Sequence, residues 1–488
     1  MLRSFFHNKN TNKTEKALKW NASYQIIENI LNFTLGVIMA RLLDPSEFGI
    51  ISIVLIFSSF VFSFVDGGFG SAVVQSNQLK KSDLSSIFSV NLLIAFLFSC
   101  FLFLISSSLA SFFENEIFSN LFKAITLLFI FQAFIVVPKN YYVRNLDFKS
   151  IASIELTSII VSGIIAIILA VNGFKYWALA FRIIIQFFIS AVLYNLSSKL
   201  KLKFELNLDV IKKYWNYSIN VLSNSLFVNF KSQLDIFILS KLISTDDLGL
   251  YTRGKQYANM SQTFLYVVFN KPLFSTFSKI KEEIFLNYYC KWYKILSFIA
   301  FFSFFNLYII SDELIYLILG QKWTGSVIFL KVFSFWGILK VLLLFNFDIF
   351  NAKGKPKLNF INSLFEFILF ILFILFSYIF FNNSNLAISI SFCFFLCTFC
   401  SFIFQNYQLT FILKQNFLNN LFSNYVEIFI CVISFLLTMF LFNYFSIDNQ
   451  LISAMSKLFV FTSSSLFLAI FLRIELFKLI YKKIKKIK

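Results

Sequence analysis

The segment "MARLLDPSEFGII" (residues 39–51) decides the fold, because nearly the same phrase returns about 200 positions later as "LSKLISTDDLGLY" (residues 239–251). Both copies keep matching basic, acidic and glycine positions, which are Arg41, Glu47 and Gly49 in the first and Lys241, Asp247 and Gly249 in the second. A bilayer does not select an acidic residue at a turn, so chance similarity between apolar helices does not explain the match. We interpret the echo as an internal duplication.

Each copy is expected to end one helix and start the next. Pro45 suits an early helical position, and Asp44 or Ser46 is expected to cap the new helix. Arg41 and Lys241 are interpreted as topological anchors at the membrane surface.

The composition places the chain in a membrane. Of its 488 residues 58% are hydrophobic and 14% are charged, whereas soluble domains average about 45–50% and about 25%. Apolar runs of about 20 residues recur, and each can cross about 30 Å of hydrocarbon as a helix. We therefore predict an all-α, polytopic membrane protein with about 14 transmembrane helices. The predicted spans are 20–40, 48–74, 85–110, 117–138, 152–171, 174–195, 214–240, 248–274, 292–319, 326–350, 358–381, 385–412, 423–444 and 451–472.

The loop charges orient these spans. Most Lys and Arg residues outside the spans fall in alternate loops, such as "PKNYYVRNLDFK" (138–149), and this pattern marks the cytoplasmic side. Both termini are then cytoplasmic, and the net charge of +19 reflects membrane topology and not nucleic-acid binding.

A second echo supports the duplication, since "KWNASY" (19–24) opens span 1 and "YWNYSI" (214–219) opens span 7. Six spans separate the copies, so the two halves have the same orientation, as parallel repeats do. Two six-helix repeats are followed by two further helices. The predicted organisation is a cytoplasmic tail (1–19), an N-terminal lobe (20–195), a cytoplasmic amphipathic linker (196–213), a C-terminal lobe (214–412), spans 13 and 14 (413–472) and a basic cytoplasmic tail (473–488). The links 197–213 and 275–291 are each expected to form an amphipathic surface helix.

Nothing in the sequence predicts a metal, a cofactor or enzymatic chemistry. Cys393, Cys397 and Cys400 share a helical face, but the only histidine is His7, so we interpret the cysteines as packing residues. "DGGFG" (66–70) ends a span with no strand before it, so it is not a nucleotide fingerprint. There is no phosphate-binding GxxxxGK[ST] loop and no sizeable extramembrane domain.

The repeat phrases resemble a known family. "IMARLLDPSEFGIISI" with "DGGFGSAVVQ" (66–75) and "LDIFILSKLISTDDLGLYTRGKQ" (234–256) resemble the polysaccharide-export flippases of the MOP superfamily, the lipid-linked oligosaccharide or O-antigen translocases related to MATE transporters. The chain departs from the family at Lys241, where Arg is common, and at Ser244, where Gly is frequent.

The resemblance implies two six-helix lobes around a central cavity and transport by alternating access. The implied cargo is an oligosaccharide on an undecaprenyl pyrophosphate carrier, moved to the outer leaflet for O-antigen, capsule or exopolysaccharide synthesis. The implied location is the bacterial cytoplasmic (inner) membrane. The implied partners are this lipid-linked oligosaccharide, membrane lipids, a polysaccharide polymerase and a chain-length regulator, and the chain is expected to be a monomer.

A pyrophosphate crossing hydrocarbon requires a wet, cationic groove, because burying unpaired charge is costly. Intramembrane charges are rare and usually functional. The residues predicted to bind cargo in this cationic cavity are Arg182, Lys231, Arg253, Lys255 and Lys340. The residues predicted to serve coupling or gating are Glu28, Glu155, Asp235, Asp348 and Glu366. Lys331 is expected to snorkel toward the interface. Lys231 is expected to pair with Asp235 one turn on in the empty state, and to leave it for phosphate when the cargo arrives.

Two transporter alternatives remain open. A MATE-type cation or drug antiporter would favour carboxylates in its cavity, whereas buried bases here at least match buried acids. A peptidoglycan-precursor (lipid II) flippase would use the same lipid carrier.

Overall fold

The structure, a computed structural model, describes residues 9–76, 79–198, 200–270, 273, 276–278, 280–380, 386–414, 425–445 and 447–472. No β-strand occurs among these residues. The helices with described bounds are α1 (Lys9–Leu42), α2 (Pro45–Asp66), α3 (Phe69–Gln75), α4 (Lys81–Phe112), α5 (Ile117–Arg144), α6 (Phe148–Val171), α7 (Tyr176–Ser197), α8 (Leu208–Leu242), α9 (Thr245–Leu265), α10 (Glu282–Ile309), α11 (Ser311–Ile318), α12 (Ser326–Ala352), α13 (Pro356–Phe380), α14 (Leu386–Leu413), α15 (Tyr425–Tyr444) and α16 (Gln450–Phe471). The predicted basic tail (473–488) and most of the predicted hairpin at 381–386 lie outside the described residues.

The all-α membrane architecture is confirmed. Fourteen of these helices are long, and each coincides with one predicted span. Eleven of them are apolar and long enough to cross a membrane. The other three are α1, α8 and α9, which correspond to predicted spans 1, 7 and 8. These three helices carry the polar residues that a purely lipid-facing span would not have.

The two copies of the repeated turn have the same backbone plan. In the first, α1 ends at Leu42 and α2 begins at Pro45; in the second, α8 ends at Leu242 and α9 begins at Thr245. The equivalent boundaries are thus 200 positions apart in both cases.

The acidic residues of the turn act in helix capping. Asp44 is the N-cap of α2 and Pro45 is its first residue, as predicted, whereas Ser46 lies inside the helix. The Glu47 carboxylate accepts the Asp44 backbone N–H at 2.6 Å. In the second copy the Ser244 hydroxyl accepts the Asp247 N–H at 3.1 Å, so both turns satisfy amides that a helix start would leave unpaired.

The prediction that span 4 ends at Pro138 is wrong, because α5 continues to Arg144. Proline has no N–H to offer the carbonyl four residues earlier, which belongs to Phe134. Asn195 of α7 supplies the missing donor, with its Nδ2 at 2.9 Å from the Phe134 oxygen. A residue from another helix therefore satisfies the bond that the proline removes.

The prediction of a surface helix over 196–213 is also wrong. Residues 200–207 are not helical, and α8 begins at Leu208. The Lys203 and Glu205 N–H groups donate to Ser85 Oγ and Ser89 Oγ of α4 at 3.3 and 2.8 Å. The distance between the two serines matches the distance between the two amides, because four helical residues rise about 6 Å and two extended residues about 6.6 Å. We call residues 200–207 the extended linker.

Two predicted spans are each divided between two helices, and part of one predicted surface helix belongs to a longer helix. Gly67 and Gly68 have positive φ angles of 56° and 73°, and they separate α2 from α3 inside predicted span 2. Ile310 separates α10 from α11 inside predicted span 9. Residues 282–291 are helical, as predicted, but they form the first turns of α10 and not a separate helix.

The chain forms two compact units, Met1–Gly249 and Leu250–Lys488. In the first unit, α6 packs on α1 and α7, and α2 packs on α5 and α8. In the second, α12 packs on α10 and α14, and the aromatic rings of Tyr289, Tyr293 and Phe345 stack in its core. The predicted lobe boundary at 213/214 stays a prediction, since these units report packing and not duplication.

Candidate functional site

Two predicted acidic residues come together in the first unit, around a lysine that the sequence did not single out. Lys139 Nζ of α5 lies 2.7 Å from Glu155 Oε1 of α6. Tyr194 of α7 donates its hydroxyl to the same oxygen at 3.0 Å. Glu28 of α1 accepts a hydrogen bond from Tyr24 and interacts electrostatically with both Glu155 and Lys139. We call Tyr24, Glu28, Lys139, Glu155 and Tyr194 the carboxylate cluster.

Four helices hold this cluster, and its charges do not balance. It carries one net negative charge when both carboxylates and the lysine are ionised. The Glu155 side chain is 11% exposed, whereas the Lys139 side chain is 42% exposed. The lysine side of the pair is therefore the more exposed side, and two carboxylates with one lysine can exchange a proton or attract a cation.

Arg182 of α7 has a different environment. Its Nη2 donates to Asn32 Oδ1 of α1 at 2.8 Å, and its Nε is buried without a hydrogen-bond partner among the residues that the structure describes. Asn32 lies one helical turn from Glu28. Within the described part of the chain, the guanidinium thus bonds a neutral amide, and no carboxylate lies within ion-pair distance.

The predicted pair on α8 is placed one turn apart. Asp235 is fully buried and Lys231 is partly buried, both within the first unit. Their spacing puts the two side chains on one helical face. The exchange of partners predicted for them on cargo arrival stays a prediction.

In the second unit, a predicted cargo residue and a predicted coupling residue bind each other. Lys340 Nζ of α12 lies 3.3 Å from Glu366 Oε1 of α13. The lysine also lies 6.0 Å from the centre of the Trp336 ring. The charge of Lys340 is therefore compensated in this structure, which makes it a weaker candidate for binding phosphate than Arg182.

The two basic residues of α9 contact aromatic rings. Arg253 is 9% exposed and lies 6.0 Å from the centre of the Trp323 ring, with its Nη1 2.5 Å from Gln256. Lys255 lies 4.8 Å from the centre of the Phe394 ring. Both distances fall in the range of cation–π contacts.

Asp348 is buried near the end of α12. It accepts a hydrogen bond from Tyr266, and its Oδ2 has no hydrogen-bond partner among the described residues. A buried carboxylate oxygen left in this state can accept a proton or a water. Its predicted coupling role stays a prediction.

Lys241 of the repeated turn contacts the turn between α4 and α5. Its Nζ lies 2.5 Å from Glu114 Oε1 and 2.7 Å from the Phe112 carbonyl oxygen. This hydrogen bond and the lysine charge hold the pKa of the Glu114 carboxyl below its usual range. The contact fits the anchoring role predicted for Lys241, and Arg41 occupies the matching exposed position at the end of α1.

Sequence reasoning missed a buried ion pair in the second unit. Glu313 Oε1 of α11 lies 2.5 Å from Lys457 Nζ and 2.6 Å from the Ser453 hydroxyl, both of α16. Lys457 stands inside predicted span 14, and an intramembrane lysine is the signal that could have found it. Its partner is 144 positions away, so the pairing itself could not be predicted from the sequence.

A second missed network lies at the predicted cytoplasmic end of the first unit. Asp83 of α4 is 3% exposed, accepts the Tyr214 hydroxyl at 3.0 Å and lies 3.3 Å from Lys213 Nζ. Arg144 of α5 donates to the carbonyls of Val73 and Ser76 at the end of α3. These contacts fix the start of α8 and the end of α3 against the ends of α4 and α5.

Two further features help to define the site. Among the described residues, no group of three or more His, Cys, Asp or Glu side chains is placed to hold a metal ion. A cavity of about 740 Å³ lies between α13 and α14 and is lined by residues such as Leu372, Phe376, Phe392 and Cys393. This cavity has no charged lining, so it does not suit a pyrophosphate.

The comparison with known families decides the classification. The family model described as polysaccharide biosynthesis protein matches residues 38–328. The chain belongs to this family. One relative is the teichuronic acid biosynthesis protein TuaB of Bacillus subtilis (strain 168), 22% identical over 72% of this chain and 73% of that protein. Another is the lipopolysaccharide biosynthesis protein WzxC of Escherichia coli (strain K12), 21% identical over 67% of this chain and 68% of that protein.

The fold also has a solved counterpart. The lipid II flippase MurJ in an inward closed conformation matches with a TM-score of 0.74 at 14% identity, covering 93% of this chain and 98% of MurJ. Identity at this level shows the fold alone. The likeness confirms the predicted all-α membrane fold.

Proposed function

We propose that the chain is a flippase, not an enzyme, that carries an undecaprenyl-pyrophosphate-linked oligosaccharide from the cytoplasmic to the outer leaflet of the bacterial inner membrane. It does so by alternating access, with both termini in the cytoplasm, for surface polysaccharide synthesis. Family membership supports the pathway, and the fold supports a flippase. Two relatives are named for different glycans, teichuronic acid and lipopolysaccharide, which favours recognition of a lipid carrier over recognition of one sugar.

The observation that carries the proposal is the environment of Arg182. A guanidinium within a membrane span is costly unless its charge is used, and here it bonds the neutral Asn32 side chain. Arriving phosphate would not have to displace a carboxylate. A guanidinium also matches phosphate oxygens in a bidentate geometry, which an ammonium does not.

The membrane potential supports the proposed direction. Pyrophosphate carries about two negative charges, and each gains about 2.3 kcal/mol per 100 mV on moving out of a cell that is negative inside. Export therefore requires no nucleotide. Lys231 is proposed to bind cargo in the first unit, as Arg182 does. Arg253 and Lys255 are proposed to bind cargo in the second unit, and Lys340 is proposed to do so when Glu366 releases it.

The carboxylate cluster is proposed to couple transport to a proton or sodium gradient. It holds two carboxylates and one partly exposed lysine, so protonating one carboxylate makes the cluster neutral. Asp235, Asp348 and Glu366 are further coupling candidates. The polymerase, the chain-length regulator and the monomeric state stay predictions.

Complementation of a host deletion strain tests the proposal. We expect the deletion to deplete surface glycan and to accumulate lipid-linked oligosaccharide, and the wild-type gene to reverse both. Arg182→Gln should restore at most about a tenth of the glycan, corresponding to about 1.4 kcal/mol of lost interaction, while Arg182→Lys should restore more. Lys331→Gln is the control, because Lys331 pairs with the half-exposed Asp312.

The alternatives predict different results. A MATE-type exporter predicts sensitivity to cationic dyes with normal surface glycan in the deletion strain. A lipid II flippase predicts accumulation of the peptidoglycan precursor and cell lysis, and rescue by a known lipid II flippase. Either pattern would contradict the proposed cargo.

A further inference from the structure

The two copies of the repeated turn touch each other through their glycines. A Cβ built on Gly49 would lie 1.9 Å from the Thr245 carbonyl oxygen, and a Cβ on Gly249 would lie 1.9 Å from the Pro45 carbonyl oxygen. Pro45 and Thr245 are equivalent positions of the two copies, as are Gly49 and Gly249. The contact is therefore reciprocal, and all four residues belong to the first unit. We call it the outer seam, after its predicted side of the membrane.

A second glycine contact lies at the other end of α2. A Cβ on Gly68 would lie 2.3 Å from the Ser218 carbonyl oxygen of α8. We call this the inner seam. Between the seams, Asn229 Nδ2 of α8 donates to Ser63 Oγ of α2 at 2.5 Å. Helix α2 of the first repeat thus contacts α8 and the turn after it at both ends and in the middle.

These contacts suit surfaces that close and part. Small residues let helix backbones approach closely within a membrane, and the atoms nearest to a Cβ at Gly49, Gly249 or Gly68 are all backbone atoms. Contacts of this type are weak individually, so they suit surfaces that separate. The polar Ser63 and Asn229 between the seams would be satisfied by water once either end opened.

We propose that the outer and inner seams are the closing contacts of two gates, and that they part alternately while the cargo crosses. This inference rests on the proposed function for its purpose, but the seams themselves are independent of any cargo. Both seams are closed in this structure. Adding a Cβ should prevent one seam from closing, because each of the three Cβ distances given above is more than 1 Å below the ordinary contact distance of 3.4 Å.

One probe cysteine tests both gates. Ser63→Cys places a thiol between the seams, and a membrane-impermeant maleimide is added to intact cells or to inverted vesicles. Labelling is scored as the difference between chains with and without the probe, because the native Cys100 is exposed. Ser59→Cys, one turn away on α2, serves as a second probe if the first disturbs the Asn229 hydrogen bond.

We expect Gly49→Ala to raise labelling from one side at least about tenfold, and Gly68→Ala to raise it from the opposite side, a change equivalent to about 1.4 kcal/mol. Two glycines provide matched controls. Gly163 lies inside α6, and the three atoms nearest to a Cβ there all belong to the flexible Leu35 side chain. Gly173 has a φ of 80°, similar to that of Gly68, and a Cβ there meets nothing within 4 Å. Alanine at either control position should leave labelling from both sides unchanged.

The proposal is overturned if Gly49→Ala and Gly68→Ala label like the controls, or if both raise labelling from the same side or from both sides equally. Labelling is measured without cargo, so it is independent of the proposed function. Opposite-side labelling in a chain that moves no glycan would support the seams as gates and contradict the proposed cargo. Glycan transport by a chain whose glycine variants label like the controls would support the proposed cargo and contradict the seams as gates.

Discussion

Removing the charge of Glu313 should strongly destabilise the second unit. The Glu313 and Lys457 side chains are 4% and 19% exposed, and their charged atoms are 2.5 Å apart. At an effective dielectric constant of about 20, that distance corresponds to an attraction of about 7 kcal/mol. The attraction offsets a desolvation cost of several kcal/mol per ion.

Glu313→Gln leaves the Lys457 charge buried without its partner, so we expect it to lower the free energy of unfolding by about 3–5 kcal/mol. Lys457→Met should have a similar effect, because it leaves the buried Glu313 carboxylate without its positively charged partner. The double variant Glu313→Leu/Lys457→Met should lie within about 1 kcal/mol of the wild type or above it, since apolar residues replace both charges.

The assay is unfolding of the purified chain in mixed micelles of a mild detergent and dodecyl sulfate, followed by loss of helical circular dichroism. A neighbouring pair provides the control. Lys331 and Asp312 are also an ion pair, but their side chains are 30% and 54% exposed, so Asp312→Asn should cost at most about 1 kcal/mol. Additive effects of the two single variants, or costs no larger than that of the control, would refute the reasoning.

Three further predictions concern the first unit. Asn195→Ala should cost about 1–3 kcal/mol in the same assay, because it leaves a carbonyl unpaired beside the proline of α5. Ser85→Ala with Ser89→Ala should speed tryptic cleavage of the extended linker roughly tenfold by removing hydrogen bonds worth about 0.5–1.5 kcal/mol each; the control Ser86→Ala, whose hydroxyl has no hydrogen-bond partner among the described residues, should not. Glu114 has a lowered pKa, so its stabilising contact is present above the usual glutamate pKa and is lost as pH falls through the lowered one. The stability difference between wild type and Glu114→Gln should therefore stay constant between about pH 6 and 8 and disappear only in acid.

The membrane fold could be predicted because hydropathy and the polar repeat are local signals. Fourteen apolar segments and the turns at Arg41 and Lys241 gave the number of long helices and the plan of both repeats. The continuation of α5 through Pro138 could not be predicted, because the compensating donor comes from Asn195, which is distant in sequence. The ion pair between Glu313 and Lys457 was hidden for the same reason.

The extended conformation of residues 200–207 could have been predicted from the sequence. Leu200, Leu202, Phe204 and Leu206 alternate with polar residues, a period of two that favours extended backbone over helix. The break between α2 and α3 was also foreshadowed by two adjacent glycines, which tolerate positive φ.

The candidate site was predictable by residue type but not by pairing. Intramembrane charge singled out Arg182, Glu155 and Lys340 correctly as buried or partly buried groups. Sequence could not show that Lys340 pairs with Glu366, or that Lys139 joins Glu28 and Glu155. The first contact depends on how two helices pack and the second on how several helices pack, and no single helix carries that information.

The central claim is that the chain moves a pyrophosphate-linked oligosaccharide across a bilayer. The most direct test reconstitutes the purified protein in liposomes with the host's own lipid-linked oligosaccharide in the inner leaflet, and follows cleavage by a glycosidase added outside. We predict that wild-type protein exposes the inner-leaflet glycan, that Arg182→Gln slows exposure about tenfold, and that Lys331→Gln does not. Exposure no faster than in protein-free liposomes, with cationic dyes transported by the same vesicles, would contradict the account.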